Sequence, residues 1–146
     1  MDKNYIPRPD LLSGRTILVT GAGEGIGRAA AESYAAHGAT VLLVGRTLFR
    51  LEDTYDAIVT AGHPQPYLFP LDFSKAEESD YQGLAGGIAQ EMGHLDGLLH
   101  NAAHLGDLSP MEHFSLKQWE TVFRVNVTAE FLLTKHCIPL LKQSHQ

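Results

Sequence analysis

Three glycines stand at a fixed spacing where an apolar run gives way to a helical pattern. In residues 16–31 (TILVTGAGEGIGRAAA), Gly21, Gly25 and Gly27 follow the spacing G-x-x-x-G-x-G. Gly21 permits a sharp turn, Gly25 removes the side chain that would keep a pyrophosphate from the helix N-terminus, and Gly27 lets the helix pack closely on the sheet. The free amides and the positive end of that helix attract phosphate. We therefore expect a phosphate-binding turn, and a tight turn without a ligand is the alternative.

A basic residue follows the second apolar run, where Gly45 and Arg46 come after TVLLV. The acid that bonds the adenosine ribose hydroxyls of a dinucleotide is expected there, about twenty residues after the glycine turn. Without that carboxylate to repel a 2′-phosphate, and with a guanidinium able to grip it, NADP is favoured over NAD. Glu24 argues the other way, because a carboxylate beside the phosphates is unfavourable if it points inward. Arg46 as a merely solvated residue is the alternative.

The remaining pattern alternates short apolar runs with helical periodicity, which favours an α/β doubly wound parallel sheet. Gly38 is placed to end the first helix, and Thr47 to cap the second. The expected strands are 16–19, 40–44, 67–71 and 95–100. The expected helices are 25–37, one that begins after Thr47, one from about 74 to 92, and a long one after residue 115.

Two serines begin the last two helices in this interpretation. Ser74 with Glu77, and Ser115 with Gln118, have the spacing of a capping box. In the long final helix the large aromatic side chains are expected in the core or in a helix–helix contact; they are Trp119, Phe123 and Phe131.

The motif TGAGEGIG resembles the TGxxxGIG motif of short-chain dehydrogenases/reductases, which use NAD or NADP. Asp72 resembles that family's aspartate after the third strand, which steadies the adenine end of the cofactor. His100-Asn101-Ala102-Ala103 is similar to the family's NNAG motif, and Asn126 falls where the family has the asparagine of its Asn-Ser-Tyr-Lys tetrad, at a kink in the helix. GATVLLVGR and LDGLLHNAAHLGDLSPM are most similar to bacterial oxidoreductases of the YciK type.

The resemblance implies a set of site residues. Asn126 is the one catalytic position, contributing a backbone carbonyl to the proton relay. Ala103 replaces a glycine of the motif, and its methyl group could crowd the cofactor or be harmless. The implied cofactor-binding residues are Gly21, Gly23, Glu24, Gly25, Ile26, Gly27, Arg46, Asp72, Phe73, Asn101, Ala102 and Ala103.

The family's serine and Tyr-x-x-x-Lys pair lie beyond the asparagine, and none of the five tyrosines here has a lysine four residues on. The resemblance therefore implies a single Rossmann-like domain over residues 1–146, with a loose arm at 1–13, truncated after the fourth strand and the following long helix. Its strand order would be 3-2-1-4. The implied function is the cofactor half of an NADP-dependent oxidoreductase acting on a carbonyl or alcohol, inactive alone. A non-catalytic NADP(H)-binding or regulatory module is the alternative.

Composition limits the partners. The net charge is −6 and no basic run occurs, so no nucleic acid is expected, and no apolar run is long enough for a membrane. The single cysteine, Cys137, excludes an intrachain disulfide and fits a cytoplasmic location. His100 and His104 lack the geometry of a helical metal pair, so no metal is expected. The partners are a small-molecule substrate and, by the resemblance, further copies of the chain in a homo-oligomer.

Overall fold

The computed structural model describes residues 6–144, and a parallel sheet lies at its centre. The strands are β1 (Thr16–Thr20), β2 (Thr40–Gly45), β3 (Tyr67–Pro70) and β4 (Gly97–Leu99). Their order is β3-β2-β1-β4, which confirms the expected order. The expected α/β Rossmann-like fold is confirmed as well, because helices pack on both faces of this sheet.

The two inner strands are buried on both faces, as parallel strands between two helical layers must be. All five residues of β1 are buried, and so are residues 41–44 of β2. The register pairs Thr16 with Thr40 and Thr20 with Val44. The carboxyl ends of β1 and β2 therefore lie side by side, which brings the glycine turn next to Gly45 and Arg46.

Each layer of helices encloses its own apolar core. One core contains Leu51 and Ile58 beside β1 and β2, and the other contains Tyr81, Ile88 and Leu133. The helices are α1 (Gly25–Ala36), α2 (Leu48–Thr60), α3 (Glu78–Glu91), α4 (Leu116–Phe123) and α5 (Ala129–Leu141).

The first helix ends as predicted: His37 caps it, and Gly38 adopts a φ of +94° that favours glycine. Residues 6–13, part of the expected loose arm, contain no helix or strand, and Leu12 packs against the core with its N–H bonded to the His37 carbonyl at 2.8 Å. The rest of that arm, residues 1–5, lies outside the described residues.

The predicted start of the third helix is wrong. Ser74 does not cap it; its hydroxyl donates to Asp72 Oδ1 at 2.7 Å, and its N–H donates to the same oxygen at 3.0 Å. The chain makes a turn there, and α3 begins at Glu78. Glu77 is the N-cap, and it forms the reciprocal capping box with Asp80. The two hydrogen bonds from Ser74 to Asp72 instead form part of a turn before the helix, and the helix starts later than predicted.

The long final helix is interrupted, as the expected kink implies. Between α4 and α5, residues Arg124–Thr128 form a π-helical turn. The Ser115 hydroxyl accepts from the Gln118 N–H at 3.2 Å, which confirms one half of the second capping box. The Gln118 side chain bonds Asp107 instead of completing that box.

The aromatic side chains of this stretch do not lie in the core, which was one of the two places expected for them. The exposed fractions are 47% for Trp119, 44% for Phe123 and 63% for Phe131, although the first two rings do contact each other with centroids 4.5 Å apart. The fourth strand is also shorter than predicted, because β4 spans Gly97–Leu99. Within residues 6–144, no helix combines the length and apolarity needed to cross a bilayer.

Candidate functional site

A cleft of about 360 Å³ opens at the carboxyl ends of the four strands. Parallel α/β sheets bind ligands at this edge. Nine of the twelve predicted cofactor residues line it: Gly21, Gly23, Glu24, Arg46, Asp72, Phe73, Asn101, Ala102 and Ala103. The other three, Gly25, Ile26 and Gly27, lie in the first turn of α1 beside it.

The glycine turn is shaped by close packing. A Cβ on Gly27 would lie 2.2 Å from the Gly21 carbonyl oxygen, and a Cβ on Gly21 would lie 2.8 Å from Asn101 Nδ2. Gly21 also has a φ of +67°. Gly25 differs, because it has a φ of +56° but nothing within 4 Å of where its Cβ would be. The helix end is therefore packed tightly on the sheet side and left open on the outer side, where a phosphate would approach.

Glu24 and Ile26 are both turned outward. Ile26 is 80% exposed. Glu24 is the N-cap of α1 in extended backbone geometry, but its side chain caps no N–H of that helix. Its carboxylate instead forms a salt bridge with Arg50 of α2. The amides of the turn are therefore not consumed by the neighbouring acid.

Asn101 and Thr20 join the ends of β4 and β1. The Asn101 Nδ2 donates to the Thr20 carbonyl at 3.0 Å and to the Gly21 carbonyl at 3.4 Å. The Thr20 hydroxyl accepts from the backbone N–H groups of Asn101 at 2.9 Å and Ala102 at 3.0 Å. Thr20 was not among the predicted site residues, although a polar residue that ends an apolar strand beside the glycine motif was a usable signal. Together the two side chains fix the floor of the cleft.

Asp72 lines the cleft two residues after the end of β3. The side-chain hydrogen bond from Ser74, with the backbone N–H of Ser74 and the charges of Lys75 and Arg46, outweighs burial and lowers the pKa of this carboxyl. Phe73 is 7% exposed and stacks on Tyr81 with centroids 6.0 Å apart. The ring of Phe73 therefore supports the cleft from the core, and only its backbone is placed to meet a ligand.

The outer wall carries two arginines. Arg46 is exposed just after β2, and Thr47 behind it is the N-cap of α2. Arg50, in the first turn of α2, also lines the cleft and was missed by sequence analysis. Ala103 is exposed at the opposite wall. No non-glycine residue between 6 and 144 has a positive φ, so the alanine that replaces the motif glycine is accommodated without backbone strain.

Asn126 lies in the π-helical turn, and its amide faces the loop after β4. Its Oδ1 accepts from the His104 N–H at 2.8 Å, and its Nδ2 donates to the His104 carbonyl at 3.0 Å. His104 itself lines the cleft. The side chain of Asn126 therefore holds a wall of the site in place, and both of its polar atoms are occupied in doing so.

The two histidines considered for a metal are not brought together. His100 Nε2 lies 2.8 Å from the Thr134 hydroxyl, and burial lowers the pKa of its imidazole. His104 is engaged through its backbone, as described above. In the described part of the chain no group of three or more His, Cys, Asp or Glu side chains is arranged to hold a metal ion.

The sequence model for short chain dehydrogenases matches residues 15–146. The chain belongs to the short-chain dehydrogenase family. It is 45% identical over 141 residues to the oxidoreductase YciK of Escherichia coli strain K12, which confirms the predicted resemblance to that type. That alignment covers 97% of the chain and 56% of YciK.

Two solved structures of short-chain dehydrogenases show the same architecture. The one from Pseudomonas syringae has a TM-score of 0.94 and 48% identity, covering 98% of this chain and 59% of its own. The one from Shigella flexneri 2a, solved in complex with NADP, has a TM-score of 0.91 and 44% identity, covering 94% of this chain and 57% of its own. The chain thus spans somewhat more than half the length of these family members.

Proposed function

We propose that this chain binds NADP(H) and forms the cofactor side of an oxidoreductase that interconverts an alcohol and a carbonyl compound. The observation that carries the proposal is Arg46, exposed at the end of β2 on the cleft wall, where a carboxylate would select against a 2′-phosphate. The NADP complex of the Shigella family member supports it. So does the kinship with YciK, an oxidoreductase.

The residues present fit such a cofactor. The open space outside Gly25 leaves the N-terminal amides of α1 accessible to a pyrophosphate, and the adjacent acid is neutralised by Arg50. Arg46 would hold the 2′-phosphate, and Asp72 with the backbone of Phe73 would meet the adenine. When bound, the nicotinamide supplies or accepts the hydride. Asn101 and Asn126 hold the walls of the cleft in fixed positions, so that the ligand would bind to a preformed site.

The proposal is tested by calorimetric titration of the chain with NADPH and NADH. We expect tighter binding of NADPH, and Arg46→Gln should weaken NADPH binding about tenfold while leaving NADH binding unchanged. Arg28→Gln is the matched control, because Arg28 pairs with Glu32 on the surface of α1 at 2.7 Å and does not line the cleft. Tighter binding of NADH, or indifference to the change at Arg46, would refute the assignment of NADP.

We further propose that the protein is a cytoplasmic homo-oligomer acting on a small molecule. The support for association is a stripe of exposed apolar side chains on α4, the π turn and α5, between 44% and 63% exposed: Phe123, Val127 and Phe131. Water-exposed stripes of this kind mark protein contacts. Light scattering should show a smaller assembly for Phe131→Glu than for wild type, and an unchanged mass would contradict self-association through this face.

A further inference from the structure

A carboxylate and a guanidinium meet at the mouth of the cleft. Glu24 precedes α1 in the glycine turn, and Arg50 lies in the first turn of α2. Their side chains form a salt bridge although they are 69% and 42% exposed, and both residues line the cleft. The bridge therefore spans two separate elements of the phosphate-binding wall.

The packing beneath this pair is close, so the pair is built into the fold. A Cβ on Gly23 would lie 2.9 Å from the Cβ of Arg50, which means that α2 approaches the glycine turn as near as a glycine allows. The fully buried Thr54 hydroxyl, one turn further along α2, donates to the Ala22 carbonyl at 3.1 Å. These contacts hold the base of the Arg50 side chain over the turn that carries Glu24.

The pair has opposite consequences for the two kinds of phosphate in a dinucleotide. It draws the Glu24 carboxylate toward α2, which relieves the repulsion of a pyrophosphate at the N-terminus of α1. It also engages a guanidinium that stands four residues after Arg46 on the same wall. Guanidinium groups bind carboxylates and phosphates with the same bidentate geometry, so the two anions compete for one Arg50.

We propose that Arg50 is a second cation for the 2′-phosphate of NADP, and that Glu24 competes with this phosphate for it. The inference rests on the proposed function and deepens it, because it assigns the strength of the cofactor preference to a specific pair. A 2′-phosphate carries about −1.5 to −2 charges at neutral pH, as other phosphomonoesters do, whereas Glu24 offers one. The phosphate therefore displaces the carboxylate at a cost in affinity.

The test uses the adenosine halves of the cofactors, 2′,5′-ADP and 5′-AMP, titrated calorimetrically against the whole chain. Removing the competitor with Glu24→Gln should tighten 2′,5′-ADP about fivefold and change 5′-AMP less than about twofold. Arg50→Gln should weaken 2′,5′-ADP about fivefold. With Arg50 already replaced, adding Glu24→Gln should tighten 2′,5′-ADP by a smaller factor than in wild type, because it then relieves only the repulsion between the carboxylate and the phosphates and frees no guanidinium.

Three results would overturn the inference: an equal gain from Glu24→Gln in both backgrounds, an equal gain for 5′-AMP, or no loss from Arg50→Gln. Arg28→Gln and Glu32→Gln are the controls, since they remove another exposed salt bridge whose two residues do not line the cleft. If wild type does not prefer 2′,5′-ADP to 5′-AMP, the proposed NADP function falls together with this inference. If the preference depends on Arg46 but not on Glu24 or Arg50, only this inference falls.

Discussion

Asn126 and His104 are joined by two reciprocal hydrogen bonds, so that one side-chain amide satisfies both backbone groups of a loop residue. The distances are 2.8 Å from the His104 N–H to Asn126 Oδ1 and 3.0 Å from Asn126 Nδ2 to the His104 carbonyl. The amide comes from the π-helical turn between α4 and α5, a kind of interruption that is frequent at functional sites. The helix thereby positions the loop that forms one wall of the cleft.

Replacing Asn126 by aspartate keeps the shape of the side chain but removes its donor. The new carboxylate still accepts from the His104 N–H, but it faces the His104 carbonyl with a second acceptor. We expect a loss of about 1–3 kcal/mol in the free energy of unfolding, measured in urea, and faster amide exchange in residues 101–114. Gln82→Glu makes the same amide-to-acid change on the exposed surface of α3. Equal effects of the two variants would contradict a positioning role for Asn126.

Two glycines in helices should respond to alanine with opposite signs. At Gly27 the new methyl would lie 2.2 Å from the Gly21 carbonyl oxygen, a backbone atom that cannot move without opening the turn. We expect Gly27→Ala to lose about 3 kcal/mol or more of stability. At Gly86, inside α3, nothing lies within 4 Å, and alanine should add about 0.5–1 kcal/mol. Thermal unfolding of both variants checks the pair, and a stable Gly27→Ala would mean that α1 does not pack as described.

The sequence predicts the sheet and the glycine turn well, because both depend on local patterns. An apolar run such as residues 41–44 is stable when both of its faces are covered, which predicts a central strand between two layers of helices. A glycine motif directly after such a strand indicates a turn. The start of α3 is different, since Ser74 and Glu77 have the correct spacing and yet do not form the box. Ser74 donates its hydroxyl to the Asp72 carboxylate within a turn that precedes the helix, and Asp80 completes the cap at Glu77. Two overlapping capping patterns, Ser74 with Glu77 and Glu77 with Asp80, cannot be ranked from spacing alone.

The site shows the same division between local and long-range features. Arg46 and Asn101 follow strands, and the strand order is enough to bring them to one cleft. Thr20 and Arg50 were missed because their roles depend on what lies across the fold: the ends of β4 for the first residue, and the glycine turn for the second. Phe131 likewise belongs to an apolar pattern that predicts burial but does not identify the surface that would cover the side chain, which is exposed in the structure.

Asp96 joins three parts of the chain at the amino ends of the strands. Its carboxylate, 6% exposed, accepts from Arg15 at 3.0 Å, from the Thr16 N–H at 2.8 Å and from the Ser144 hydroxyl at 2.6 Å. Burial by itself would raise the pKa of Asp96, but these hydrogen bonds and the nearby charge of His94 outweigh it, and the pKa is lowered.

A lowered pKa in the folded state means that the ionised carboxylate stabilises the fold. This contribution is present above the unfolded-state pKa of about 3.9 and is lost as the pH falls through the folded value. We expect Asp96→Asn to be less stable than wild type at pH 7, and the difference in unfolding free energy to shrink on acidification below about pH 4. Asp53→Asn, on the exposed side of α2, serves as the control. A difference that stays constant with pH would contradict the lowered pKa.

Cys137 reports whether α5 stays packed on the sheet. Its side chain is fully buried among the residues of the second core, and burial raises the pKa of the thiol to about 11. Both effects suppress the thiolate that reacts with disulfide reagents. At pH 8 we expect no labelling of the folded chain by an aromatic disulfide and complete labelling in urea, with a midpoint that matches unfolding by circular dichroism. Labelling at urea concentrations well below that midpoint would show that α5 separates from the core in a local opening while the sheet is still folded.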